Sequence, residues 1–254
     1  MESGSDNDHA RQQSCFQEWL NVQHQDLSEL QQAKTLNPDN PTHHAELSQL
    51  VQKNLQHYQD YAERRSQLAQ ADASAFFTPE WCTSLENSLL WIAGCRPSIF
   101  IRLVYALCGA DLEDSHFAAF LTGDATTGRL SELSASQLAQ VNALQMKTVK
   151  EEEELTSRLA SLQEDIVDEP LVGVARAASE ACESSRESDE ALDDHGESMA
   201  NLLLEADQMR LRILKELMGI LTPAQGVEYL VASKKIHLCV REWGRKRDLN
   251  HGRN

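Results

Sequence analysis

The sequence predicts an all-α fold, a single bundle of about seven or eight helices. Three observations predict it. Gly and Pro are few, 11 and 6 in 254 residues, while Leu, Ala, Gln and Glu abound and β-branched runs are scarce. Apolar residues recur three or four apart through most of the chain, the period of one helix face. Hydroxyl residues also stand where helix starts favour them: Thr78-Pro79, Ser134 before Gln137, and Thr222-Pro223 before Gln225.

The elements follow in order. Residues 1–13 are polar and acidic and are expected to be disordered. From Ser14 a first helix carries Cys15, Phe16, Trp19, Leu20, Leu27 and Leu30, and ends near Ala33. Asn37 to Pro41 is a turn cluster. A long amphipathic helix follows from Thr42 to about Ala73, with Leu47, Val51, Leu55, Tyr58 and Tyr61 inward. Phe76-Phe77 reads as a hydrophobic staple ahead of Thr78.

The stretch Thr78–Gly109 reads as the centre of the core. A helix from Pro79 would place Trp81, Leu85, Leu89, Ile92 and Cys95 on one face, with Leu90 and Trp91 widening it. Gly94 and Arg96-Pro97 would end it. Ile99 to Leu107 is apolar again, and Arg102 inside it is a cation expected to pair with a carboxylate. Asp111 to Leu121 reads as a short helix and Gly123 to Gly128 as a loop.

The helix capped by Ser134 carries a row of Leu138, Val141, Gln145, Thr148, Glu152, Leu155, Leu159, Leu162 and Ile166. Its polar middle argues against a long dimer zipper. That middle is either exposed or set against another polar element. Residues 151–197 hold 16 Asp/Glu against 3 Arg, and the Ser/Glu/Asp-rich part at 168–195 is expected to be a linker. Met199 to Ile220 makes one more helical stripe. The helix after Thr222 has two apolar rows, one of them Tyr229, Ile236, Val240 and Trp243. From Lys234 to Arg253 there are 7 Lys/Arg and 2 acids, and a basic tail at 245–254 is expected to be disordered. One domain over 14–244 results.

Charge and composition exclude several functions. A net charge of −17 argues against DNA binding. No apolar run approaches the ~20 residues that span a membrane, and the polar start is no secretory signal. The six cysteines, at 15, 82, 95, 108, 182 and 239, form no CxxC pair and read as reduced thiols of a cytosolic or nuclear protein. His43, His44 and His57 lack a third ligand at a metal spacing. No catalytic constellation is present, so no enzyme is expected.

Several stretches together resemble a known family. They are Phe16–Leu20 (FQEWL), QLAQADASAFFTPEW, LENSLLWIAGCRPS, LVYALCG, LSASQLAQVNALQ, EEEELTSRLASLQEDIVD and LTPAQGVEYLVASKKIHLCVREWG. In this order, over about residues 14–244, they resemble the plant Delay of Germination domain, which also forms the C-terminal part of TGA-class bZIP transcription factors. No basic region with leucine heptads precedes Phe16, so the likeness is to the stand-alone branch. That resemblance implies a non-enzymatic regulator of seed dormancy, germination and abscisic acid signalling, in the nucleus and cytoplasm.

It also implies sites. Phe16, Glu18 and Trp19 match an aromatic-x-Glu-Trp segment implicated in binding type 2C protein phosphatases. The plain alternative is that Phe16 and Trp19 dock on the core. The resemblance further implies haem binding through two histidines four apart. His237 stands at the first position, but Arg241 occupies the second. Three readings result: a phosphatase-binding adaptor, a haem or apolar-ligand sensor, and a co-regulator pairing with TGA-type factors. Self-association is a further expectation.

Overall fold

The computed structural model describes residues 2–108, 129–167, 172 and 186–253. Among them it contains eight α-helices, one short 3-10 turn and no strand. The helices are α1 (Glu2–Ala33), α2 (Pro41–Ala69), α3 (Ser74–Phe77), α4 (Ser84–Ser88), α5 (Ser98–Cys108), α6 (Ala135–Ile166), α7 (Arg186–Ile220) and α8 (Pro223–Asn250); the 3-10 turn, Arg129–Glu132, precedes α6. The all-helical expectation holds.

Five long helices make the bundle. α7 packs between α6 and α2, and α8 lies against α1, α2 and α4. The inward stripe of α7, Leu202, Leu203, Ala206, Met209, Ile213 and Leu217, is buried as its spacing predicts. The first turns of α8 are buried on every side, through Val227, Tyr229, Leu230, Val231 and Ala232. α8 thus gathers α1, α2, α4 and α5, while α7 gathers α2 and α6.

Local chemistry starts the helices. Asn40 Oδ1 accepts the Thr42 N–H at 2.9 Å, one residue before Pro41 opens α2. Ser134 and Thr222 form capping boxes with Gln137 and Gln225, as read from the sequence. The polar middle of α6 meets a polar element. Glu152, 1% exposed, accepts the Ser98 N–H at 2.6 Å and the Ser98 hydroxyl at 3.0 Å, capping α5 from outside.

Other expectations are corrected. The chain is helical from Glu2, and Gln12 is fully buried, its amide donating to the Asp72 carbonyl at 2.9 Å. A tertiary contact orders what composition alone reads as loose. The basic tail is helical to Asn250. α7 takes in residues 186–195 of the expected linker, while 168–185, apart from Val172, lie outside the described residues. So do the short helix expected at Asp111 to Leu121 and the loop after it.

The central stretch differs most. No helix starts at Thr78, which instead ends α3. α4 starts five residues later, where Thr83 and Glu86 form a capping box. After it, Trp91 and Gly94 pair across a tight turn in which Ile92 and Ala93 take positive φ, 44° and 57°. Arg102 is exposed, because α5 turns Ile101, Val104 and Leu107 inward and so places residue 102 outside. It therefore needs no buried carboxylate.

Candidate functional site

A buried charged cluster lies where α1, α2 and α8 meet. Lys234, on the inward side of α8, is 0% exposed. Its ammonium donates to Gln23 Oε1 and Asp26 Oδ2 of α1, both at 3.0 Å. It also sits 5.1 Å from the Tyr58 ring centroid and 5.8 Å from that of Trp19. Asp26 is shared, since His57 Nδ1 of α2 lies 2.9 Å from its Oδ1. One buried carboxylate thereby joins three helices. Burial pushes the Lys234 ammonium down to about 8, with Asp26 pulling the other way.

Trp19 belongs to this cluster. It is 7% exposed, stacked on Tyr61 at 4.5 Å and edge-on to Tyr58 at 4.9 Å. The sequence places Phe16 and Trp19 on one face, and that face turns inward. Phe16 is half-buried under the Arg241 guanidinium, 5.1 Å from the ring centroid. Glu18 alone of the three is exposed, and Arg64 reaches it at 2.6 Å and holds its carboxyl below the usual range. An exposed aromatic pair does not exist here; the segment shows solvent Glu18 and the rim of Phe16.

Arg241 closes the next layer. It contacts both Glu86 carboxylate oxygens, at 3.1 and 3.2 Å, and the Trp81 carbonyl at 3.3 Å. One turn on, Gly244 rests against Thr83 so closely that a Cβ would lie 2.1 Å from its Oγ1. Asp248 Oδ2 then accepts the Ser84 N–H at 2.9 Å. The capped start of α4 is thus pinned to the last turns of α8, which gives Gly244 its physical role.

A second cationic clamp holds the Trp91–Cys95 turn. Arg210 donates to the carbonyls of Cys95 at 2.7 Å, Trp91 at 2.5 Å and Ile92 at 2.9 Å, and to Asp207 Oδ1 at 2.6 Å. Arg65 donates to the Ala93 carbonyl at 2.9 Å. A Cβ on Gly94 would lie 2.8 Å from the Arg210 Cζ. Guanidinium forks thus satisfy a turn whose strained backbone has few partners of its own.

His237 lies on α8 between Lys234 and Arg241. Burial pushes its imidazole down to about 4, against the pull of Glu86 and with the push of Lys234 and Arg241. The residues do not fit a two-histidine haem site. The position one turn on is Arg241, fixed to Glu86 and Trp81, and Lys234 adds another cation on the same side. Among the described residues no group of three His, Cys, Asp or Glu is placed to hold a metal; His57 is turned to Asp26, and His43 Nδ1 accepts the Asn37 N–H at 3.2 Å. The Cys82 and Cys108 thiols are pushed up by burial to about 12 and about 11, so neither is a ready nucleophile.

The sequence reading missed Lys234–Asp26–His57, the Arg65–Asp207–Arg210 clamp and the Thr83–Gly244 contact. Its signal was single charges inside apolar stripes, Asp26 beside Leu27, Arg210 beside Met209 and Lys234 beyond Val231.

Comparison with known proteins agrees with this architecture. A family model described as "DOG1: Seed dormancy control" matches residues 26–106. The chain is similar to Protein DOG1-like 3 of Arabidopsis thaliana, 37% identical over 242 residues, 93% of this chain and 85% of that protein. It is similar to Protein DOG1-like 1 of the same plant, 38% identical over 267 aligned residues, 98% of this chain and 94% of the other. A more distant likeness, 26% over 221 residues, links 85% of the chain to 49% of Transcription factor TGA3 of Arabidopsis thaliana. By this extent of identity the chain belongs to the DOG1 family of seed dormancy regulators.

Proposed function

We propose that the chain is a non-enzymatic plant regulator of dormancy and abscisic acid signalling that acts by binding type 2C protein phosphatases. The observation that carries this reading is the form of the α1 segment. Trp19 is locked between Tyr58 and Tyr61, so the backbone of α1 is held rigid, while Glu18 and the rim of Phe16 face outward from it. A preorganised helix presenting a charge beside an aromatic edge loses little entropy on docking.

The test is calorimetric titration of the full chain into the catalytic domain of a plant type 2C phosphatase, with phosphatase activity followed in parallel. Saturable binding that lowers activity, weakened by Glu18→Lys, is the expected result. No binding at ~100 μM would refute it, since a specific complex of ordinary interface size is tighter.

The TGA likeness favours a second reading, pairing with a TGA-type factor as a transcriptional co-regulator in the nucleus. Mixing the chain with the C-terminal domain of a TGA factor and measuring the sedimenting mass tests it. A fluorescent fusion observed in plant cells tests the proposed nuclear and cytoplasmic location.

A further inference from the structure

α5 lies along one flank of α6 in a register fixed by two hydrogen bonds. The Ser98 N–H donates to Glu152 at 2.6 Å, and the Tyr105 hydroxyl donates to Asn142 Oδ1 at 2.7 Å. The two helices are therefore antiparallel, and the middle of α5 runs beside the turns of α6 between Asn142 and Glu152. α7 occupies the other flank of α6, through Lys147 with Glu216, Glu151 with Arg212 and Arg158 with Glu205. Outside the α5–α6 seam each helix leaves a stripe uncovered. On α5, Ile101, Val104 and Leu107 are buried, so Ile99, Arg102 and Ala106 share the outer side and are exposed. On α6, Val141, Leu144, Thr148, Glu152 and Leu155 are buried, and Leu138, Asn142, Met146, Val149 and Glu153 form one line toward the α5 flank. Met146 is 77% exposed, more than any other large hydrophobic side chain among the described residues, and Ile99 and Leu138 are exposed with it.

Apolar side chains scattered singly over a surface are ordinary; rows of them on two adjoining helices leave an apolar strip in water. The form of the strip says what fits it. A straight, shallow valley between two antiparallel helices takes a third helix, whose own apolar residues three and four apart lie between the rows. An exposed methionine suits such a site, because its unbranched thioether adapts to the shape it meets. Charge narrows the choice. Arg102 stands in the middle of the valley, and among the described residues its guanidinium has no ion pair and no hydrogen bond. The other cations nearby are engaged: Arg96 with Glu152 at 3.3 Å, Lys147 with Glu216 at 3.1 Å and Lys150 with Glu154 at 4.0 Å. Glu153 closes the line at the Ile99 end, so a complementary carboxylate belongs opposite Arg102 and not there.

We propose that the α5–α6 valley is a docking site for an amphipathic helix of a partner protein, one that carries an aspartate or glutamate where its apolar row meets Arg102. The partner's apolar side chains pack on Ile99, Met146 and Val149, and its carboxylate makes the ion pair that this chain does not supply to Arg102. α1 packs on α2 and α8, so the valley is a different surface from the Glu18 segment, and docking here does not depend on phosphatase binding.

The experiment selects helical peptides of about 16 residues, the length that matches the valley, from a display library against the full chain. The winners are then titrated by fluorescence anisotropy into wild type, Met146→Glu and Arg102→Glu. Both variants should keep wild-type helicity and melting, since these side chains are exposed. The expected winners carry apolar residues three and four apart with an Asp or Glu among them. Met146→Glu should weaken their binding about 30-fold, and Arg102→Glu about tenfold. Replacing the winner's acid by lysine should lose binding to wild type and restore it on Arg102→Glu, a reversal that non-specific adhesion does not give. A selection that yields no such peptide, or winners that bind both variants as tightly as wild type, would overturn the proposal. So would a dimer of the wild type alone, measured by sedimentation, that Met146→Glu dissolves, because the valley would then belong to a second copy of the chain.

Discussion

Trp19 decides how the N-terminal segment is to be understood. Its ring fills the space between Tyr58, Tyr61 and the buried Lys234. Trp19→Ala is therefore expected to destabilise the fold by about 3–5 kcal/mol, while Glu18→Ala, at the surface, changes it by about 0.5 kcal/mol or less. Equilibrium urea unfolding of the two variants checks this; equal midpoints would mean that Trp19 is not core. Helical spacing put Phe16 and Trp19 on one face, but spacing alone does not say whether that face meets solvent or a neighbouring helix. His237 yields a pH prediction. An imidazole held near 4 when folded, against an ordinary value of about 6.5, leaves the unfolded chain binding more protons between those values. Stability contributed by His237 is thus full above about pH 6.5 and is lost as the pH falls toward 4. His237→Phe should flatten the dependence of melting temperature on pH across that window, measured against wild type in the same buffers.

Helix starts were legible where the signal is local, and hidden where a distant residue sets the structure. The boxes at Ser134 and Thr222 use residues three apart, so the sequence alone shows them. Thr83-x-x-Glu86 carries the same signal, but the Thr78-Pro79 pair beside it competes and loses. The Trp91–Cys95 turn breaks the expected central helix because Arg210 and Arg65 reach it from other helices, 115 and 28 residues away. Two element-scale outcomes follow from these contacts. Arg210→Lys keeps the charge but not the fork that reaches three carbonyls and Asp207, and is expected to cost about 2–4 kcal/mol. Gly244→Ala places a methyl group 2.1 Å from Thr83 Oγ1, so α4 must move off α8. A loss of about 1–3 kcal/mol, with faster hydrogen exchange confined to residues 83–90, is the expected signature. Wild-type exchange there would show that Thr83 yields without strain.

At the scale of the molecule, the all-helical class followed from apolar period and caps, whereas the meeting of the chain's two ends did not. Lys234 and Asp26 are 208 residues apart, and no local pattern links them. Their contact makes α1 a structural part of the bundle, not an appendage. α1 supplies Trp19, Leu20 and Leu30 to the core, and Asp26 to a lysine that has no access to water. Removing α1 would strip that apolar surface from the core and take from Lys234 both its carboxylate and the helix that covers it. A chain beginning at residue 34 is accordingly expected to show no cooperative thermal transition by circular dichroism. A chain beginning at Asp8 retains Gln12 with its bond to Asp72, as well as Trp19 and Asp26, and is expected to melt within a few degrees of the full protein. The contrast between the two truncations carries the test. If the shorter chain melts as sharply and as high as the longer one, the buried lysine finds another partner and α1 is dispensable to the fold.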